Sequence, residues 1–458
     1  MKARLIGLVT TVAIVVSVCA TMVLASPAHA AGVTTYTGSI DGAAYLIQVP
    51  PNWNGTLVLY SHGYVVPGAP NPAHDVGDPA TGAWLLAHGY ALAGSSYSTT
   101  GWAIQQAFHD QIALLDYFDS HIGQPTQTIA WGHSLGGIIT AGLVQLYPDR
   151  FAAALPMCGV VAGGVATWNT ALDGAFAMNV LLAGNNPLQV VHITNPSANL
   201  GHAEQVLAAA QATPQGRARI ALAAALSDVP GWFQTGSPEP APTDWTAQEA
   251  NQEAWLANVD GPFEFAFRAE LEARAGGNPS WNTGVDYRHQ LAISAVGREV
   301  ENLYKQAGLS LQSDLTALNN ATRISADEGA VSYLKQYISF NGNISIPVLT
   351  MHTTGDGLVI NQNEQSYASV VRTAGNNNLL RETFVHRAGH CAFTPAETIT
   401  AFQTLINRMN TGEWSNSTSP SLMNSEAAAL GSPYNSAPPA FLRFEPTKYP
   451  RPYTLRGD

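Results

Sequence analysis

The feature that most restricts this chain is the hexapeptide Gly132-His133-Ser134-Leu135-Gly136-Gly137. A serine between two glycines at this spacing sits on a sharp turn from strand to helix, where a Cβ on either flank would collide with neighbouring backbone. The flanks agree with such a turn. Residues 127–131 form a short β-rich run, and residues 135–147 form an apolar helical stretch that stops at Pro148.

On both sides of this turn the pattern alternates. Strands are expected at 44–49, 56–60, 90–94 and 152–157, and helices from Asp78-Pro79 and over 103–121, where Ile104, Phe108, Ile112, Leu115 and Phe118 recur at helical spacing. Asp78 caps its helix and Pro79 fills the first turn. Strand and helix in alternation mean a mostly parallel, doubly wound α/β sheet with helices on both faces. From 160 to 344 that rhythm is replaced by Ala-rich helical runs (203–212, 217–226, 247–258, 263–275 and 291–307), among which lie Trp168, Trp232, Trp245, Trp255 and Trp281. The rhythm resumes with strands at 348–352 and 381–385 and helices at about 363–373 and 395–409.

Apolar residues make up 46% of the chain and charged residues 11%, so a large core is within reach, and 458 residues imply more than one simple domain. The net charge of −12, with no cluster of Lys and Arg, excludes nucleic acid and anionic membrane surfaces as partners. The first thirty residues read as a secretion signal peptide: Lys2 and Arg4, an apolar run over 5–24, and Ala28-His29-Ala30 as the cleavage pattern. No other stretch is apolar and long enough to span a bilayer, so the expected product is a secreted, extracellular protein with no integral membrane segment. Cys19 leaves with the signal. Cys158 and Cys391 then remain as a pair in an oxidising compartment, and a disulfide between them is expected.

Candidate chemistry accumulates at the strand ends. Ser134 needs a base, which a histidine supplies best, and a carboxylate should fix that histidine's tautomer. Asp356 follows one strand and His390 the next. His386 is a rival base but closes a strand. Asp314 and Asp327 are rival acids but fall in helical sequence and are expected to be solvated. His62 should stabilise its loop by hydrogen bonds, and His133 is a neighbour of the serine or filler. The His74-Asp75-Asp78 group invites a metal, but capping accounts for Asp78 and the spacing matches no metal site; no metal and no cofactor are expected.

The order Ser134, Asp356, His390 with a Gly-x-Ser-x-Gly turn resembles the α/β-hydrolase fold over residues 44–160 and 345–410. The resemblance implies a secreted serine hydrolase, esterase- or lipase-like, with Ser134 as nucleophile, Asp356 in the acid loop and His390 as base. It implies an oxyanion hole from the backbone N–H of Leu135 and of Tyr64 or Gly63, in the loop after the third strand. The expected organisation is a core of 31–159 and 345–412, a large helical lid of 160–344 inserted after the sixth core strand, and an extended C-terminal tail of 413–458. Tannases and fungal-type feruloyl esterases are similar in joining cysteines beside their catalytic residues, but there a cysteine directly precedes the serine. Here that position is His133, so that family is not assigned.

The expected reaction is hydrolysis of carboxylic esters, on a small-molecule or polymeric substrate with a fairly apolar group. Two alternatives stand beside it. A prolyl-type aminopeptidase on the same core should place acids in the lid for the substrate's amine, for which Glu264, Glu270 and Glu272 are available. A non-catalytic binding protein keeping the fold is the other.

Overall fold

A computed structural model describes residues 32–453; the expected signal peptide and the terminal Arg456-Gly457-Asp458 lie outside the described residues. The chain begins β1 Thr34–Ile40, β2 Ala43–Val49, β3 Thr56–Ser61, α1 Pro79–Ala87, β4 Ala91–Ser95, α2 Ile104–His121, β5 Gln127–His133, α3 Leu135–Leu146 and β6 Ala153–Met157. Helices follow: α4 Gly164–Leu182, α5 Pro196–Gln211, α6 Pro214–Leu226, α7 Trp245–Trp255, α8 Arg268–Ala275, α9 Tyr287–Ile293, α10 Gly297–Ala307, α11 Leu311–Asn320 and α12 Glu328–Gln336. The chain then returns through β7 Val348–Gly355, α13 Gln362–Thr373, β8 Leu380–Ala388, α14 Pro395–Thr411, α15 Pro420–Ala429 and β9 Phe441–Leu442.

The strands form one sheet in the order β1-β2-β4-β3-β5-β6-β7-β8-β9. The six from β4 to β8 in that order run parallel, and the edges at β1, β2 and β9 are antiparallel. Period-two alternation sends neighbouring side chains into opposite layers. Leu57 and Leu59 of β3 face α2 and α3, whereas Val58 and Tyr60 face α1 and α14. Both faces are covered, which is why β3, β4 and β6 are buried at every position. The expected doubly wound parallel sheet is the one observed.

Helix starts follow their caps. Asp78 accepts from Thr81 N at 2.8 Å at the head of α1. At the head of α14, Thr394 and Glu397 form a reciprocal capping box.

Between β6 and β7 the helices build a core of their own around α6, whose face from Ile220 to Leu226 is buried throughout. Here the expected runs need correction. Helix α4 was not anticipated, because Asn169, Thr170 and Asp173 are buried in it along with its apolar residues, leaving no amphipathic stripe to read. Those polar groups are satisfied internally; Asp173, for example, accepts from Tyr287 Oη at 2.9 Å. Helical sequence was expected around Asp314 and Asp327 without bounds, and α11 and α12 lie there; the expected run 291–307 is two helices, α9 and α10, divided at Ser294, whose hydroxyl donates to Asp228. The tail is not simply extended: it carries α15, and β9 pairs with β8.

Candidate active site

The Gly-x-Ser-x-Gly turn joins β5 to α3, and its glycines are sterically required. A Cβ on Gly132 would lie 2.3 Å from Gly136 O, and one on Gly136 would lie 1.9 Å from Ser61 O. Gly137 packs on Gly159, where a Cβ would come within 2.5 Å of the Gly159 Cα. Ser134 itself holds φ 59° and ψ −123°, a region L-residues rarely occupy. Its amide donates to Met157 O at 3.0 Å, tying the serine to the end of β6. Such strain, paid for by surrounding packing, marks a side chain that the fold forces outward.

Asp356 follows β7 and is fully buried. One carboxylate oxygen accepts from Val359 N at 3.0 Å, and the other accepts from His390 Nδ1 at 2.7 Å. Burial alone would raise this carboxyl, but the charge and hydrogen bonds of His390 and His352 outweigh it and hold it below the usual carboxylate range. With its Nδ1–H donating to Asp356, His390 presents Nε2 as an acceptor. That nitrogen faces Cys391 Sγ at 3.3 Å, and among the described residues no hydrogen bond joins it to Ser134 Oγ.

Cys391 and Cys158 are joined, with their Cα atoms 5.3 Å apart. The contacts therefore run without a break from Ser134 N to Met157, its neighbour Cys158, Cys391 and the imidazole of His390. Cys158, His390 and Cys391 are close enough to hold a metal ion, but the two sulfurs are bonded to each other.

A second clamp on the histidine loop was not anticipated. Arg387, ending β8, makes a bidentate pair with Glu397 of α14 at 2.6 and 3.0 Å and also donates to Ala392 O at 2.8 Å. His352 was missed as well. Both its ring nitrogens face acceptors, Glu364 Oε1 at 2.9 Å and Val359 O at 2.7 Å, and Asp356 Oδ2 lies 3.5 Å away. Burial opposes its charge, yet Asp356 and Glu364 push its pKa up to about 10, so the ring is a buried imidazolium behind the acid. The signal was present as a histidine four residues before Asp356, but only the tertiary fold adds Glu364.

Ser134 and Leu135 line a cavity of about 90 Å³ with Tyr64, Trp102, Trp168 and Phe263. The N–H of Leu135, in the first turn of α3, has no carbonyl one turn back in the helix. Tyr64 and Gly63 lie across from it, and a Cβ on Gly63 would be 3.4 Å from Ser134 Cβ. Of the five insertion tryptophans, Trp168 alone lines the cavity.

Asp260 and Glu264 also line it, both buried, each with a carboxylate oxygen that has no partner among the described residues. Burial pushes Glu264 up to about 8 despite Arg268, and burial with the charges of Glu264 and Asp356 raises Asp260 well above the carboxylate range. Asp260 was not singled out in the sequence. It ends a π-helical turn, Leu256–Asp260, and Glu264 sits in a second, Phe263–Phe267; wider turns of this kind are concentrated at functional sites. The other two acids singled out in the insertion are used elsewhere. Glu270 accepts from Trp102 N at 3.0 Å and pairs with Arg274, and Glu272 pairs with Arg268, so neither is a solvated helix face open to substrate.

The rivals fall away from the site. His386 is exposed and pairs with Glu239 at 3.3 Å. Asp314, expected to be solvated, is buried against Arg219 at 2.7 Å and Tyr304, and Asp327 is exposed and holds Asn278 N. His133 packs among Tyr60, Trp131 and Phe393; burial and nearby His390 lower its pKa to about 3, so it stays neutral. His62 stacks on Tyr97 at 4.0 Å and bridges Gly63 O and Ser96 O, holding its loop as expected.

Comparison with known proteins adds the following. A sequence profile of the Prolyl oligopeptidase family matches residues 89–200. The o-phthalyl amidase of Xanthobacter agilis is 31% identical over 418 residues, covering 85% of this chain and 90% of that protein. Among solved structures, a rice cell wall degrading esterase of Xanthomonas oryzae aligns with a TM-score of 0.39 at 11% identity, covering 80% of this chain and 86% of its own. Feruloyl esterase B of Aspergillus oryzae aligns with a TM-score of 0.39 at 14% identity, covering 83% and 80%.

Proposed function

For a chain that belongs to the serine hydrolases of the α/β-hydrolase fold, in one family with the o-phthalyl amidase of Xanthobacter agilis, we propose hydrolysis of the amide of a compact aromatic acid, with the corresponding ester as a faster substrate. The observation that carries this reading is the Asp356–His390 hydrogen bond beside a strained Ser134 that opens on an aromatic-lined cavity. Ser134 Oγ attacks the acyl carbonyl while His390 Nε2 takes its proton. The N–H of Leu135 and that of Tyr64 or Gly63 hold the oxyanion, each such donor being worth about 3 kcal/mol. The C–N or C–O bond then breaks and the leaving group takes the proton from His390; water, giving a proton to His390, attacks the acyl-enzyme, and Ser134 Oγ leaves with that proton as the acid is released. His390 must turn from Cys391 toward the serine, as unliganded sites commonly require. The helices between β6 and β7 act as the lid over this cavity.

Labelling by a fluorophosphonate, abolished by Ser134→Ala, tests the nucleophile; an unlabelled, folded, oxidised protein would leave the binding-protein reading. Rates on benzoyl and o-phthalyl amides against p-nitrophenyl benzoate test the bond. The aminopeptidase reading has one observation in its favour, the unpartnered Asp260 and Glu264 on the cavity. Under it, Pro- and Ala-anilides are cleaved and Glu264→Gln raises their KM; under the main reading neither happens.

Export belongs to the same proposal, supported by the N-terminal pattern and by the disulfide, which persists in oxidising compartments. Mass spectrometry of the exported protein should find residue 31 at its start.

A further inference from the structure

Beyond β9 the chain has no regular structure up to Tyr453, yet it is held at successive points. Thr447 Oγ1 accepts from Gln362 Nε2 at 3.2 Å, and Tyr449 N donates to Gln365 Oε1 at 3.1 Å, so α13 of the sheet layer fixes the first half. Arg451 then reaches the inserted helices. It donates to Asp173 Oδ2 of α4 at 2.7 Å and to Trp281 O at 3.0 Å, and Tyr453 stands edge-on to Trp281 at 6.0 Å.

Between these anchors Tyr449 is 3% exposed, packed on Ala162, Ala166 and Ile360, and its side chain lines the cavity shared with Ser134. An irregular segment that crosses between two layers and buries an aromatic ring in the cavity between them is part of the cavity's shape.

We infer that residues 447–453 form a wall of the substrate cavity, and that Tyr449 sets how large a group the cavity admits. The Arg451–Asp173 pair latches that wall to the helical insertion. The inference rests on the proposed reaction only in taking this cavity as the substrate's, and its test separates the two.

In a Ser134→Ala background, which needs no nucleophile, calorimetry compares binding of benzamide and 2-naphthamide. Removing the ring by Tyr449→Ala should raise the affinity for 2-naphthamide relative to benzamide roughly tenfold or more, the scale on which apolar pockets discriminate size. Tyr449→Phe, which keeps the ring, should leave the ratio unchanged. With Ser134 intact, the Tyr449→Ala protein should still label with fluorophosphonate, at whatever rate, and shift its kcat/KM preference from benzoyl to naphthoyl esters through KM. If Tyr449→Ala fails to fold, Tyr449→Leu gives the same direction with a smaller shift. An unchanged size ratio in a folded, labelled variant overturns the inference. Loss of labelling in the parent, with the size shift in binding still present, overturns the proposed reaction and leaves the wall standing.

Discussion

Ser134, Asp356 and His390 are unequal in what holds them. The serine is fixed by backbone, through positive φ and a hydrogen bond from its amide to Met157 O. The acid is fixed by charge: it sits between the ring of His390 and the buried imidazolium of His352, which Glu364 balances. Asp356→Asn should keep the fold but lower kcat by about 10³- to 10⁴-fold with little change in KM, because an amide can donate to Nδ1 and favour the wrong tautomer. Steady-state kinetics on a p-nitrophenyl ester checks this, and a loss under tenfold would remove Asp356 from the role. The pairing of Asp356 with His390 was legible from chain order, since each follows a strand. His352 and Asp260 were not: the spacing of His352 from Asp356 does not show that Glu364 will be buried against it, and nothing local distinguishes Asp260 from an aspartate that will be solvated.

The elements are joined where their ends meet. The loop bearing His390 leaves β8 and enters α14, and it is closed twice: by Arg387 with Glu397 across its base and by Cys391 with Cys158 just beyond β6. The disulfide closes a loop of 233 residues, for which chain entropy sets an upper estimate of about 5 kcal/mol. Reduction should therefore free two thiols, lower the melting temperature and slow hydrolysis, since His390 borders the bridge directly. Thiol titration alongside the rate checks it; two titrated thiols at full rate would show that the ion pair suffices to place the base. The cysteine pair was readable by counting. The ion pair was hidden, because Arg387 and Glu397 look like ordinary surface residues until β8 and α14 are placed side by side.

Among the described residues, buried carboxylates outnumber buried Lys and Arg side chains. Burial raises Asp75 and Glu249 to about 7 and Glu264 and Glu299 to about 8, while His352 is pushed up to about 10 by its acids against its own burial. All five groups hold more protons folded than unfolded, the acids from their ordinary values near 4 upward and His352 above 6.5. Stability should thus fall as pH rises through those windows, with a melting temperature higher at about pH 5.5 than at about pH 8.5. Scanning calorimetry at matched ionic strength checks the sign. By itself the sequence determined the strand–helix alternation, the turn around Ser134 and the pairing of Asp356 with His390, because periodicity, caps and glycine spacing are local and each strand end faces the same rim. Only the tertiary structure decided which helices of the insertion are buried, which acids reach the cavity and that Tyr449 lines it. Those outcomes depend on which surfaces meet, and a residue's neighbours in space are not written in its neighbours along the chain.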